Sequence, residues 1–256
     1  MSKLPRSSRL ASPVDTAAHG EYRIVRAPDD PRPLYRFTGR VDDDPQPGRY
    51  HLYAGWFCPW SQRVTIAHAL AGLGDVVTVS FVDNARDGRG WAFRERYGPD
   101  PVNGFTLLRH AYEATEEGFD GHVSVPALWD RDQARVVSND FAGIGIDLAT
   151  KFGKVATPVV ETYPEQLRAE IEATDVTIDT AAKLTALDQR LAGRAYLVGG
   201  VLTEADIRLW VHLARLGPRL AEYPNLHRYA RNLYRIPAFR DTTDFSTYPH
   251  PDWSLA

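Results

Sequence analysis

The stretch that decides the fold is RYHLYAGWFCPWS, residues 49–61. Residues 49–54 alternate in the way that is typical of a strand, and a Gly-Trp-Phe loop follows them. Cys58-Pro59 then opens a helix, because proline is preorganised for the first helical position, where its missing N–H costs nothing. The sequence therefore predicts a strand, a short loop and a helix that ends near Gly72 or Gly74.

Outward from this stretch, the next strand is predicted at residues 76–82, which read VVTVSFV. A strand, a helix and a strand within about 35 residues make a βαβ unit, whose strands are parallel. Residues 125–129 and 135–137 predict a hairpin around a polar turn, and a helix starts near 138–140. Together these elements predict an α/β domain.

The chain from Pro164 onward predicts helices. Thr203 caps one of them, and Asp206, three residues later, reaches back to complete a capping box. We assign this pair to folding, because capping satisfies both polar side chains. The predicted fold class is α/β plus all-α, with an α/β domain over 48–155 and an all-helical domain over 156–256. Apolar residues at helical spacing support the helical part: Leu167, Ile171, Ile178, Ala182, Leu184, Leu187 and Leu191.

Residues 1–47 form an N-terminal extension that is rich in Pro, Ser, Asp and Arg and lacks sustained periodicity. Within it, residues 22–25 and 34–37 have the composition of strands. The first 20 residues lack the apolar core of a secretory signal, so we expect a cytoplasmic protein. No apolar run reaches 18 residues, so no membrane-spanning helix is expected.

The net charge and the number of cysteines limit the partners, the disulfides and the metal sites that the chain can have. The net charge of −3 argues against a nucleic-acid partner. The chain has one cysteine, Cys58, which excludes an internal disulfide, a CxxC pair and a zinc site of several cysteines. His250 and Asp252 lack a second cluster of ligands, and we expect no metal. Disulfide chemistry at Cys58 therefore needs a thiol from outside the chain.

Cys58 carries the sharpest functional signal. A thiol at the N-terminus of a helix faces unpaired N–H groups and the positive end of the helix dipole, and both favour the thiolate. Ser61 lies three residues later, where its hydroxyl can hydrogen-bond the thiolate but cannot form a disulfide. The alternative interpretation is a buried and inert cysteine.

Two further features surround this signal. Val125-Pro126 puts a proline at the start of a strand, which fits either a cis peptide that presents the Val125 backbone to an extended ligand or an edge proline in trans. Four tryptophans form either an aromatic rim to a cleft or part of the core: Trp56, Trp60, Trp91 and Trp129.

Four motifs belong together: CPWS at 58–61, GWAF at 90–93, Val125-Pro126 and TEADIRL at 203–209. In these motifs the chain resembles the Xi-class glutathione transferases, the glutathionyl-hydroquinone reductases. The Cys-Pro-Trp motif is fairly specific to this group, whereas TEADIRL is specific only to the wider transferase fold. Similar stretches extend over about residues 34–240 and include 49–53, 163–171 and 223–226.

The resemblance implies a thioredoxin-like N-terminal domain that binds glutathione, a helical substrate domain and a homodimer. It also implies thiol-dependent reduction of an aromatic, quinone-like or glutathionyl-conjugate substrate. In this reaction Cys58 attacks the conjugate, forms a mixed disulfide and is released by a second thiol. The residues implied for the bound thiol are Trp91, a cis Val125-Pro126, Asn139 and Asp140, and those implied for the substrate rim are Trp56, Trp60 and Ser61.

Departures from the family leave alternatives open. The family pattern after the hairpin is Asn-Asn-Glu-Ser, whereas this chain has Ser138-Asn139-Asp140-Phe141. The Ser hydroxyl at the last position is lost, which removes a hydrogen bond to a carboxylate worth about 1.5–3 kcal/mol. A Tyr-containing stretch of the family is also missing between Thr177 and Leu187, and a cysteine-containing segment is missing between Leu216 and Tyr223. The family's hydroquinone-binding tyrosines lie in such segments. These losses fit mycothiol in place of glutathione, or a non-catalytic ligand-binding module.

Overall fold

The computed structural model describes residues 10–24, 30–33 and 35–251. Its contacts divide the chain into two compact units. Unit 1 comprises the described residues up to Gly55 together with Asp75–Ile144, and unit 2 comprises Trp56–Gly74 together with the described residues from Gly145 onward. Within the described part, no helix is long and apolar enough to cross a membrane.

Unit 1 is built on a mixed four-stranded sheet. The strands are β1 Tyr50–Ala54, β2 Thr78–Phe81, β3 Ala127–Asp130 and β4 Arg135–Ser138, in the order β2-β1-β3-β4. The β1 and β2 strands are parallel, whereas β3 runs antiparallel to both β1 and β4. The predicted βαβ unit and hairpin are therefore confirmed.

The helices of the described residues include the predicted one after Cys58 and the one after the hairpin. In chain order they are α1 Thr16–His19, α2 Pro59–Leu70, α3 Arg109–Thr115, α4 Phe141–Thr150, α5 Arg168–Ala173, α6 Ala181–Arg190, α7 Glu204–Leu213, α8 Pro224–Tyr234 and α9 Pro237–Arg240. Two short 3₁₀ turns, Glu165–Leu167 and Gly217–Glu222, join helices of the C-terminal part. The predicted fold class, α/β plus all-α, is confirmed.

Among the described residues of the extension, the expected strands at 22–25 and 34–37 are not formed. Residues 22–24 and 35–37 are irregular, and residues 25 and 34 lie outside the described part. Pairing begins only at Thr38, which makes a single bridge to Ser138 at the edge of β4. Pro31 and Pro33, just before residues 35–37, disfavour a strand there, since proline cannot donate to a strand ladder. The aromatic residues of these segments pack instead, as Tyr22 and Tyr35 do against the ring of His122.

The extension is nevertheless anchored to unit 1. The buried carboxylate of Asp87 accepts a hydrogen bond from the backbone N–H of Asp15 at 3.1 Å, and Arg94 donates to the carbonyl of Ser12 at 2.9 Å. A side chain on Gly88 would lie 1.9 Å from the carbonyl oxygen of His19. The backbone at His19 thus approaches so closely that only glycine fits at position 88.

Unit 2 buries α2 together with the C-terminal helices. Ile66, Ala67 and Leu70 of α2 share one apolar core with residues of α5 to α9. The capping box predicted for Thr203 and Asp206 is present at the start of α7. Irregular segments over 174–180 and 191–203 interrupt the helices, so Ile178 lies in a loop and not on the predicted helical face.

The units do not follow the predicted domain limits. The contacts place α2 and residues 145–155 in unit 2, although the sequence assigned both to the domain over 48–155. The reason is the apolar face of α2, which packs on the core of helices. The domain limits at 48–155 and 156–256 stay a prediction.

Candidate functional site

Cys58 is the N-cap of α2, as its sequence context predicts. Its backbone is extended, with φ −90° and ψ 119°, and its carbonyl accepts the first helical hydrogen bond from Gln62 N–H at 3.0 Å. The sulfur accepts a hydrogen bond from the backbone N–H of Ser61 at 3.5 Å. The side chain is only 7% exposed. The sulfur therefore occupies the place where a helix terminus offers unpaired N–H groups to a negative charge.

The residues beside Cys58 differ in exposure. Trp60 is 39% exposed and its ring lies 6.2 Å from that of His212, edge to face. Trp56 is half-buried, whereas Ser61 is buried, and its contact with the sulfur comes from the backbone. Trp129 on β3 is fully buried and belongs to the core. The rim roles of Trp56, Trp60 and Ser61 stay predictions.

A polar cluster lies on the Cys58 face of α2 within unit 2. Arg215 donates from Nη1 to Oε1 of Gln62 at 2.6 Å and to the carbonyl of Val211 at 2.7 Å. Gln62 in turn donates from Nε2 to Thr243 Oγ1 at 2.7 Å and to Tyr248 Oη at 3.3 Å. The guanidinium of Arg215 stacks on the Tyr248 ring, with its carbon 4.1 Å from the ring centre.

The charges of this cluster and of Cys58 act on one another. Burial lowers the pKa of Arg215, and the charges of Tyr248 and Cys58 oppose that shift. Burial also raises the pKa of the Tyr248 hydroxyl, which the charge of Arg215 opposes. The pKa of His212 is lowered, chiefly by burial and then by the charges of Arg215 and Arg63. The charge of Cys58 is thus among those that act on the Arg215 guanidinium.

Trp91, which the resemblance places at the bound thiol, lies in unit 1. Its ring is half-buried and packs against Arg86, whose guanidinium carbon is 4.3 Å from the ring centre. The same guanidinium lies 4.2 Å from the ring of Tyr22 in the extension. Arg86 therefore joins the extension to Trp91 through two cation–π contacts.

The Val125-Pro126 peptide is cis, which confirms the prediction from the resemblance. Both residues are buried and directly precede β3, where Ala127 pairs with Tyr53 of β1. The cis peptide thus lies at the end of a central strand of unit 1.

Asn139 and Asp140 lie between β4 and α4. Asn139 is buried and accepts a hydrogen bond from Phe37 N–H at 3.2 Å, so its side chain holds the end of the extension. Asp140 caps α4, because its Oδ1 accepts from Ala142 N–H at 3.1 Å. A side chain on Gly143 would lie 2.7 Å from Asp140 Oδ2. The carboxylate is therefore fixed by the helix that follows it.

Over residues 10–24, 30–33 and 35–251, no group of three or more His, Cys, Asp or Glu side chains is placed to hold a metal ion. Asp252, considered with His250 in the sequence, lies outside these residues.

Known proteins are similar to this chain in sequence and in fold. The family model of the glutathione S-transferase C-terminal domain matches residues 169–232. The glutathionyl-hydroquinone reductase PcpF of Sphingobium chlorophenolicum is 33% identical over 226 residues, which cover 73% of this chain and 72% of PcpF. The chain belongs to the glutathionyl-hydroquinone reductase family.

Solved structures relate the chain to the Xi class of glutathione transferases. The Xi glutathione transferase of Phanerochaete chrysosporium superposes with a TM-score of 0.75 at 31% identity, over 84% of this chain and 89% of that protein. Glutathione-bound YqjG, a glutathione transferase homolog from Escherichia coli K-12, gives 0.72 at 30% identity over 79% and 78%. The predicted glutathione transferase fold is confirmed, and the chain is an enzyme of this glutathione-dependent transferase and reductase family.

Sequence reasoning missed the polar cluster of this Xi-class transferase. Gln62, Arg215 and Tyr248 are far apart in the chain, and no motif among those considered contains all three. The available signal was an arginine inside the apolar run Leu213-Ala214-Arg215-Leu216, where a charge is costly unless it finds a partner. A second signal was Gln62, which lies one helical turn after Cys58 on the same helix face.

Proposed function

We propose that this Xi-class transferase removes the glutathionyl group from conjugates of hydroquinone-type aromatics, with Cys58 as nucleophile. The observation that carries the proposal is the position of the Cys58 sulfur, which caps α2 and accepts a hydrogen bond from Ser61 N–H. A helix terminus stabilises a thiolate there, and the thiolate is the attacking form of cysteine. PcpF, a glutathionyl-hydroquinone reductase, supports the substrate class by its similarity to this chain.

The proposed reaction has two steps. The Cys58 thiolate attacks the sulfur of the conjugate, an S–S bond forms and the C–S bond breaks. The electron pair of that bond goes to the aromatic carbon, which takes up a proton and leaves as the hydroquinone. A second glutathione thiolate then attacks the mixed disulfide, so that glutathione disulfide forms and Cys58 is restored as a thiolate. One carbon is reduced and two glutathione sulfurs are oxidised.

We further propose that five residues of unit 1 hold glutathione. Trp91 contacts it, the Val125 backbone beside Pro126 pairs with its peptide, and Asn139 with Asp140 binds its γ-glutamyl end. Asp140 is suited to this task because its carboxylate can meet the ammonium group of the ligand. Trp56, Trp60 and Ser61 are proposed for the aromatic substrate.

The thiol and the assembly are part of the same proposal. Glutathione is the proposed thiol, and the enzyme is proposed to act as a homodimer without a metal, in the cytoplasm. Phe141, where the family carries a hydroxyl, keeps mycothiol as the competing thiol. Calorimetric titration with both thiols separates them: binding of mycothiol without binding of glutathione would reject glutathione as the cofactor.

The decisive experiment compares two neighbouring substitutions. Cys58→Ser should abolish release of the hydroquinone from a glutathionyl-hydroquinone and leave the circular dichroism spectrum unchanged. Ser61→Ala is the comparison variant: it keeps the backbone N–H that contacts the sulfur, so Cys58 should still take up the glutathionyl group even where the proposed contact of Ser61 with the aromatic substrate is lost. Mass spectrometry of the wild-type protein with the conjugate alone should detect one glutathionyl group on Cys58. Turnover by Cys58→Ser at the wild-type rate would remove this residue from the mechanism.

A further inference from the structure

We propose that Arg215 is a positioning residue that stabilises the Cys58 thiolate as its counter-charge, and that Gln62 and Tyr248 hold it in place. The inference rests on the proposed role of Cys58, but it concerns the charge of the thiol and not the identity of the substrate. Its test therefore needs neither glutathione nor a conjugate.

The first step of the argument is the geometry of α2. Gln62 follows Cys58 by one helical turn, and their backbones share the hydrogen bond from Gln62 N–H to Cys58 C=O at 3.0 Å. Residues four apart lie on the same helix face. By binding Oε1 of Gln62 at 2.6 Å, Nη1 of Arg215 brings the guanidinium to the face on which Cys58 lies.

The second step is that the guanidinium is fixed on three sides. Gln62 and the carbonyl of Val211 both accept from Nη1, and the Tyr248 ring covers the planar face at 4.1 Å. Tyr248 is itself held by Gln62 Nε2 at 3.3 Å. Such a planar group loses little further freedom when it meets an anion, because its orientation is already set.

The third step is that one end of the guanidinium is unused. Nη2 of Arg215 is buried and has no hydrogen-bond partner among the described residues. A buried N–H donor without an acceptor is unfavourable, so a negative charge near this end of the guanidinium would be stabilised. Gln62 brings the guanidinium to the helix face on which Cys58 lies, and the charge of Cys58 acts on Arg215, so we assign the Cys58 thiolate as the negative charge that Arg215 faces.

A positive charge beside Cys58 has two consequences for the proposed cycle. It increases the fraction of thiolate, the form that attacks the conjugate. It also makes the Cys58 sulfur a better leaving group when the second thiol attacks the mixed disulfide. Other ionisable groups of unit 2 near this point are Tyr248, His212 and Arg63. Arg215 is the one that both contacts Gln62 and carries a permanent charge.

The test is the rate at which iodoacetamide alkylates Cys58 as a function of pH. In this reaction a sulfur–carbon bond forms and iodide leaves with the electron pair of the carbon–iodine bond. Arg215→Met keeps an unbranched side chain over Tyr248 but removes the charge. We expect about tenfold slower alkylation at pH 6 and a midpoint about one pH unit higher. Arg215→Lys restores the charge and should recover most of the wild-type profile.

Controls separate charge from structure. Arg219→Ala removes an exposed arginine one turn later and should leave the profile unchanged. Arg215→Gln is a second neutral variant in case Arg215→Met does not fold. If neither neutral variant folds, an alkylation profile in Arg215→Lys equal to that of a free cysteine would refute the proposal. A folded neutral variant with the wild-type profile would also overturn it. Because the readout needs no turnover, it judges Arg215 even if the proposed substrate is wrong.

Discussion

At the scale of single residues, Gly143 leaves space that a neighbouring carboxylate fills. A Cβ at position 143 would lie 2.7 Å from Asp140 Oδ2, closer than carbon and oxygen tolerate without movement. The other oxygen of Asp140 is engaged with Ala142 N–H. The orientation of the Asp140 carboxylate, which is proposed to bind glutathione, therefore depends on the absence of a side chain in the first turn of α4.

Gly143→Ala should consequently weaken glutathione binding while the protein stays folded. The added methyl group displaces the Asp140 carboxylate, and loss of one charge-assisted contact corresponds to about tenfold in Kd. Gly145→Ala is the matched control on the same helix, because nothing lies within 4 Å of its Cβ. Isothermal titration calorimetry of both variants checks this, and equal affinities would count against Asp140 as a ligand.

At the scale of elements, the start of α7 depends on one buried carboxylate. Asp206 accepts hydrogen bonds from the N–H groups of Thr203 at 2.7 Å and Leu197 at 2.9 Å. It also accepts from Tyr229 Oη of α8 at 2.7 Å. A motif that the sequence assigns to helix capping thus also joins α7 to α8 and to the preceding loop.

Asp206→Ala should therefore cost far more than the loss of a cap. Thr203→Ala removes one capping side chain and should lower the free energy of unfolding by about 1 kcal/mol. Asp206→Ala leaves several buried donors without an acceptor and should lower it by at least about 3 kcal/mol. Urea denaturation measures both values. Similar losses in the two variants would mean that Asp206 acts as a cap alone.

At the scale of the whole molecule, the buried His51 makes folding sensitive to acid. The ring lies between β1 and β2, with Nδ1 2.6 Å from Thr78 Oγ1 and Nε2 2.8 Å from Ser80 Oγ. Burial, helped by the charge of Arg131, lowers the pKa of His51 to about 3. The folded protein therefore keeps this ring neutral at pH values where the unfolded chain protonates it.

Stability should fall as the pH is lowered through about 6.5, the ordinary pKa of histidine. Below that value the unfolded chain protonates His51 whereas the folded protein does not. The free energy of unfolding therefore falls by about 1.4 kcal/mol per pH unit down to about pH 3. Above it both states are neutral and His51 contributes no pH dependence. His51→Asn should flatten the slope of unfolding free energy against pH between 6 and 4.5, whereas an unchanged slope would assign the acid sensitivity to other groups.

Features that depend on neighbouring residues were predicted from the sequence better than contacts between residues that are far apart in the chain. The helix start at Cys58-Pro59 and the capping box depend on residues within one helical turn, so adjacent residues are enough to predict them. The Gln62–Arg215 contact joins positions 153 residues apart, and its partners become visible only after the core has formed. The segment that begins at Tyr22 has the composition of a strand, but the Tyr22 ring packs against His122 and residues 22–24 form no strand.

The single sulfhydryl of this chain also determines how the enzyme meets oxidants. Peroxide converts a thiolate to a sulfenic acid, which is rescued when another thiol condenses with it. Since the chain has one cysteine, that thiol must come from solution or from a second molecule. Rescue by glutathione would yield the same mixed disulfide through which the proposed cycle passes. Repair of oxidised Cys58 would then need no separate repair enzyme, because the second step of the proposed cycle reduces this mixed disulfide and restores the thiolate.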